Sequence, residues 1–132
     1  MLNGEDPIFM KRFHHIGLPA TDQETPIEGE YWVEGGKLWL TNPKNHPQRV
    51  EWLRFGPGNT TDPNAFESGH ICYEVDDIEA AVAGKEIVRP IGEMGEPPFA
   101  LAAFTLEDGI RVEYIQLYPG REWFDDDLSA TE

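Results

Sequence analysis

Four side chains carry the chemistry that this sequence offers: His15, Glu51, His70 and Glu113. Each histidine opens a similar short run, His15-Ile16-Gly17 and His70-Ile71-Cys72. Each glutamate is third in another, Arg49-Val50-Glu51-Trp52-Leu53-Arg54-Phe55 and Arg111-Val112-Glu113-Tyr114-Ile115-Gln116-Leu117. Position by position the longer runs read Arg, Val, Glu, aromatic, aliphatic, long polar, apolar. A carboxylate in the middle of a largely apolar strand is costly unless paired, hydrated or bound to a metal. Two imidazoles and two carboxylates suit a divalent ion: zinc, nickel, cobalt, manganese or iron. With open positions, such an ion acts as a Lewis acid on a substrate oxygen. Any one of these residues alone reads as structural: a satisfied strand histidine, or a glutamate on a wet sheet face. Their repetition in the same order favours the metal. His14 is the weaker histidine candidate, because His15 is the one that aligns with His70.

Positioning these groups requires two copies of one strand-rich unit. Residues 11–117 read as a single α+β domain, with units at about 11–55 and 69–117 and a Gly- and Pro-bearing linker at 56–68. In the first unit, strands are expected at Lys11–Leu18, Glu30–Glu34, Lys37–Thr41 and Gln48–Phe55. Gly35-Gly36 sits where a primed hairpin turn would need positive φ. The second unit reads as a strand at Gly69–Val75, then a helix at Asp77–Ala83. Asp76 and Glu79 form its capping box and Gly84 stops it. Strands follow at Glu86–Arg89, Phe99–Thr105 and Ile110–Leu117, with a tight turn at Glu107-Asp108-Gly109. Gly92–Pro98 reads as a lid loop. The first unit has only the loop Pro19–Gly29 where the second has its helix. If the units pack about a local two-fold axis, the four polar side chains converge.

Bulk properties exclude several functions. The 132 residues carry Lys+Arg 10 against Asp+Glu 25, a formal charge of −15. Nucleic-acid binding and attraction to anionic membranes both need the opposite balance. The same charge discourages a CoA thioester, although Arg12, Lys37, Lys44, Arg49, Arg54 and Arg89 could form a basic patch. Cys72 is the single cysteine, so no internal disulfide forms; this suits a cytoplasmic protein. No apolar run reaches the length of a membrane span. Residues 1–10 are expected to be a flexible N-terminus and 118–132 an acidic tail.

The segments Phe13–Leu18, Gly69–Val82 and Gly109–Ile115 (FHHIGL, GHICYEVDDIEAAV and GIRVEYI) resemble the glyoxalase and vicinal-oxygen-chelate superfamily. The middle one is most like methylmalonyl-CoA epimerase and its relatives. The resemblance implies paired βαβββ units forming a cupped mixed sheet around a divalent metal, here with the first unit lacking its helix. It places metal ligands at His15, Glu51, His70 and Glu113. It also implies enolate stabilisation, with Glu113 or Glu51 moving a proton. The resulting expectation is a metal-dependent isomerase, epimerase or lyase acting on a small carbonyl or carboxylate compound. An iron-dependent ring-cleaving dioxygenase and a metal-free small-molecule binding or resistance protein are the alternatives. Trp32, Trp39 and Trp52 crowd the half without a helix, so a second subunit, giving a homodimer, or the chain end near Trp123 and Phe124 is expected to cover them.

Overall fold

The computed structural model describes residues 10–60, 69–95 and 97–123. Its eight strands are β1 (Lys11–Pro19), β2 (Tyr31–Val33), β3 (Leu38–Leu40), β4 (Val50–Phe55), β5 (His70–Val75), β6 (Glu86–Met94), β7 (Ala100–Glu107) and β8 (Ile110–Leu117). A helix, α1 (Ile78–Val82), follows β5, and a 3-10 turn spans Pro43–Asn45. The strands form one curled mixed sheet in the order β2-β3-β4-β1-β5-β8-β7-β6. The class is α+β, and the order reads as two equivalent halves meeting at β1 and β5.

The register shows why the repeat matters. β1 runs parallel to β4, with Ile16 opposite Val50 and Gly17 opposite Glu51. β5 runs parallel to β8, with Ile71 opposite Val112 and Cys72 opposite Glu113. The repeated His-Ile and Arg-Val-Glu runs therefore pair identically in both halves. Between the halves β1 and β5 are antiparallel: Ile16 faces Ile71, Gly17 faces His70 and His15 faces Cys72. The local two-fold axis thus passes beside the Ile16–Ile71 pair. Side chains alternate faces along a strand, so His15, Glu51, His70 and Glu113 all stand on the concave side.

That side also holds Tyr31, Leu40, Leu53, Cys72, Phe99 and Ile115 as a buried cluster. Against the other face of the second half lies α1, burying Ile78 and Ala81 against Ala103, Val112 and Tyr114. Asp77, one residue later than expected, caps the helix by accepting from the Ala80 amide. Asp76 instead pairs with Arg12 at 3.0 Å. Beneath the helix, the Tyr114 hydroxyl donates to Glu107 at 2.7 Å, beside Thr105 at 2.7 Å and Lys85 at 3.1 Å. Partial burial raises the Glu107 pKa, but these three donors outweigh it and hold the carboxylate below its ordinary value. A depressed carboxylate stabilises the fold above its unfolded pKa and loses that contribution as the pH falls through the folded value. Tyr114→Phe should therefore cost about 1.5 kcal/mol near neutral pH, the scale of a hydrogen bond to a charged group. Denaturant titrations should show the gap to wild type closing below about pH 4.5, the ordinary glutamate range. A gap that persists in acid would show that the bond to ionised Glu107 is not its source.

Three local readings need correction. The Gly35-Gly36 hairpin is a longer loop: Val33 pairs with Leu38, and the positive φ falls on Lys37. By contrast, Asp108 and Gly109 both have positive φ and close the two-residue turn between β7 and β8, the primed geometry that fits strand twist. β6 does not stop at Pro90. It continues to Met94 as the sheet edge, where a missing amide is tolerated, so Gly92–Met94 is strand and not lid.

The first half has no α-helix among the described residues. In its place the loop after β1 lies along the outer face. Beyond Pro19 the Gln23 side chain continues the β4 ladder, accepting from the Phe55 amide at 2.9 Å and donating to the Leu53 carbonyl at 3.1 Å. Arg54 lies over the Trp39 ring at 3.9 Å and pairs with Glu30. Trp32 and Trp39 pack at 4.7 Å, and with Trp52 they remain half-buried. Trp123 does not cover them: it is 2% exposed within the concave cluster on the opposite face. Within the expected tail, Trp123 is accordingly packed against the sheet, while Pro119, Gly120 and Glu122 are exposed. Phe124 and the rest of the expected tail lie outside the described residues, as do residues 1–9 of the expected flexible N-terminus and 61–68 of the linker. No described helix is long and apolar enough to cross a membrane.

Candidate metal centre

The centre is assembled from the two middle strands and their parallel partners. On β1, Phe13 faces Tyr73 and His15 faces Cys72, so His14 is the extra residue of a bulge. A bulge suspends the alternation of faces, which is how consecutive histidines both become buried, His14 at 6% and His15 at 0% exposure. Their Nδ1 atoms lie 2.7 Å apart. One of the two must donate and the other accept. Burial, then the neighbouring His15, pushes the His14 pKa down to about 3, so His14 is neutral and can serve as the acceptor. With His14 as acceptor, His15 donates from Nδ1, and its Nε2, once it gives up any proton, can ligate an ion with the support that a ligating imidazole normally has.

His15 Nε2 lies 3.5 Å from Glu51 Oε1 and 3.5 Å from Glu113 Oε1. His70 Nε2 lies 3.1 Å from the same Glu113 oxygen. The ligand atoms of His15, His70 and Glu113 all fall within 4.8 Å of one another. Glu51 adjoins this trio through His15, while its Oε2 accepts from the Trp123 indole at 2.8 Å. All four expected residues are therefore brought together, three tightly and Glu51 at the side. His15 Nε2, although fully buried, has only long contacts of 3.5 Å to Glu51 and Glu113 and no well-aligned hydrogen bond; leaving such an atom poorly satisfied is expensive. Two ligands each about 2.1 Å from one ion, at 90–110°, sit about 3.0–3.4 Å apart. The three histidine–carboxylate separations of 3.1–3.5 Å are close to that spacing, and the two histidine ligand atoms lie within 4.8 Å of each other, so these residues fit a divalent ion.

Electrostatics divides the two carboxylates. Burial acts to raise Glu113, but contacts from His15 and His70 outweigh it and hold Glu113 well below the usual carboxylate range. Burial raises Glu51, and His15 only partly offsets this. Burial lowers His15, yet Glu51 and Glu113 together leave its pKa raised.

Gly17 makes room for His70: a Cβ there would lie 2.1 Å from the ring's Cε1. Cys72, its counterpart in the second half, is fully buried, and its thiol is pushed far up by burial and then by Glu113 and Glu51. With His14 and His15 it forms a second group of ligand atoms within 4.8 Å. The centre is roofed by Trp123, whose ring centroid lies 5.3 Å from His14, 5.2 Å from His15 and 5.4 Å from Phe99. Phe104 stands edge-on to His70 at 5.2 Å. Trp123 and the bulge at His14 are what sequence reasoning missed. The doubled histidine was the available signal for the second; nothing in an acidic tail signalled the first.

No protein-family model matches this chain, and no curated protein does. Among solved structures, the chain is similar to the crystal structure of a hypothetical protein, BH1468, from Bacillus halodurans C-125. The TM-score is 0.57 at 15% identity, over 86% of this chain and 99% of that one. The likeness concerns the fold.

Proposed function

We propose that this protein is a metal-dependent isomerase, epimerase or lyase of the vicinal-oxygen-chelate kind, acting on a small carbonyl or carboxylate compound. The observation that carries this reading is the convergence of His15, His70 and Glu113 within 4.8 Å, buried on a curled two-unit sheet. His15, His70 and Glu113 would hold a divalent ion, with Glu51 as the further oxygen ligand; bound there, it would supply a Lewis acid to a substrate oxygen. Glu113 is committed to the histidines through one oxygen. Glu51 stands outside the tight trio and is oriented by the Trp123 indole, which suits the residue that carries a proton to and from a carbon beside a carbonyl. Trp123, Phe99 and Phe104 exclude bulk water from these groups. The reading includes a second copy of the chain over the Trp32, Trp39 and Trp52 face, giving a cytoplasmic homodimer.

One observation favours a second reading. Two histidines and one glutamate in a tight trio are the ligand set of non-haem iron oxygenases, so an iron-dependent ring-cleaving dioxygenase remains the alternative.

The test is metal content by mass spectrometry of untagged protein after loading with zinc, nickel, cobalt, manganese or iron. About one equivalent per chain is expected. No retained metal from any of the five would overturn both readings in favour of a metal-free binding protein. Oxygen uptake by the iron form with catechols would select the second reading.

A further inference from the structure

The row of residues that carries the metal trio continues outward to a single cation. Across the sheet, His15 is opposite Cys72, Cys72 opposite Glu113, Glu113 opposite Phe104, and Phe104 opposite Arg89. Directly opposed residues share a face, so Arg89 stands on the concave side, two strands from Glu113. Two strand spacings amount to about 10 Å.

The chain adjusts β6 to put Arg89 there. The register slips between Ile87 and Arg89, and again between Arg89 and Gly92. Without the first slip Val88, not Arg89, would stand opposite Phe104. Bulges re-aim side chains and cluster beside active sites. The outcome is a small pocket of about 30 Å³ lined by Arg89, Gly92, Glu93, Met94, Ala102 and Phe104. Gly92 and Ala102 keep its floor low, and Phe104 connects it to His70. The carboxylate in this lining, Glu93, accepts from the Tyr118 hydroxyl at 2.6 Å.

Arg89 also differs from most other cations of the chain. Arg12, Lys37, Lys44, Arg54 and Lys85 are in ion pairs. Arg49 and Arg121 donate to the His14 and Pro98 carbonyls. Among the described residues, Arg89 forms no ion pair, a state it shares with Lys11, which lies over the Tyr73 ring, and with Arg111. In a chain with a formal charge of −15, an exposed guanidinium in no ion pair, whose one acidic pocket neighbour Glu93 is engaged by Tyr118, is placed for an anion from outside. A guanidinium is the natural fork for a carboxylate.

We propose that Arg89 is the specificity-determining residue of this site and holds the distal carboxylate of a short dicarboxylic acid bearing a carbonyl group. The carbonyl end reaches the His15–His70–Glu113 centre and the connecting carbons lie over Phe104. This rests on the metal-centre reading and narrows its substrate to dianions.

The experiment compares 2-oxoglutarate with 2-oxopentanoate, which has the same chain length but no distal carboxylate. Binding to metal-loaded protein is measured by calorimetry, for wild type, Arg89→Ala and Arg89→Lys. Wild type should prefer 2-oxoglutarate by at least about tenfold, the scale of a charged hydrogen bond. Arg89→Ala should bring the ratio close to one, leaving 2-oxopentanoate affinity and metal content unchanged. Arg89→Lys should restore part of the preference. Because Arg89 is exposed, its loss should leave the fold intact. Equal binding of the two acids by metal-loaded wild type, binding of neither, or a preference that survives Arg89→Ala overturns this proposal and leaves the metal centre standing. Failure to hold metal at all overturns the metal centre, and the proposal with it.

Discussion

Glu113→Ala protein should fold and retain almost no metal. One oxygen of Glu113 lies 3.5 Å from His15 Nε2 and 3.1 Å from His70 Nε2, so the side chain joins the two halves of the centre. Its removal takes away the anion of the trio and leaves two imidazoles to bind a cation alone. Loss of a mere supporting partner of a ligand costs about 10–100-fold in metal affinity; loss of this ligand should exceed the upper end of that range. Competition against a chromophoric chelator measures it. Glu51→Ala should lose less, within about 10–100-fold, because Glu51 reaches the trio only through His15 and its other oxygen is engaged by Trp123. Circular dichroism on the metal-free proteins separates ligand loss from unfolding. The order of the two variants is the decisive outcome. A larger effect at Glu51 than at Glu113 would displace the trio as the core of the site. Wild-type affinity in both would remove the carboxylates from it altogether.

Much of this arrangement is visible in the sequence because it depends on local rules. The strand alternation of Arg49–Phe55 and Arg111–Leu117 fixes which face Glu51 and Glu113 occupy. The shared His-Ile start fixes the register against them. Gly84 and the Asp76-Asp77 pair mark the ends of α1 to within a residue, since two adjacent aspartates offer the same cap and only the Arg12 contact decides between them. What is not visible depends on partners remote in the chain. A bulge has no composition signature, and the doubled histidine alone does not tell that His14 turns inward beside His15. Pro90 reads as a stop, but a proline at a sheet edge forfeits no ladder bond, and β6 runs through it. Trp123 sits in an acidic stretch whose average composition argues for disorder. One indole that fills the cup and donates to Glu51 outweighs that average. The missing helix of the first half is legible as an absence. Its replacement by Gln23 completing the β4 ladder is not, because a glutamine that mimics two backbone groups looks like any loop glutamine.

The smallest change with a large effect should be Gly17→Ala. Gly17 lies opposite His70 across the central strand pair, and an added Cβ would stand 2.1, 2.6 and 2.8 Å from three atoms of the His70 ring. Such distances cannot be absorbed without movement. The ring has little freedom, with Phe104 at 5.2 Å, His15 at 5.5 Å and only 6% exposure. Gly17 does not have positive φ, so alanine fits the backbone, and in a strand it should even reduce the entropy cost that glycine carries. The strain thus falls first on His70, and a ring so confined passes part of it to its neighbours. Metal affinity should drop by about 100-fold, as for a ligand turned out of its geometry, while secondary structure is kept and the metal-free protein loses about 1–3 kcal/mol of stability, the scale of core overpacking. Gly35→Ala, where an added Cβ meets nothing within 4 Å, is the matched control. Cys72 shows why the two halves differ. It occupies the equivalent place opposite His15, where the neighbouring strand carries the bulge at His14; β5 has no such register shift beside His70. Retention of metal at wild-type affinity by Gly17→Ala would mean that the His70 ring is free to leave its place, and would remove it as a ligand.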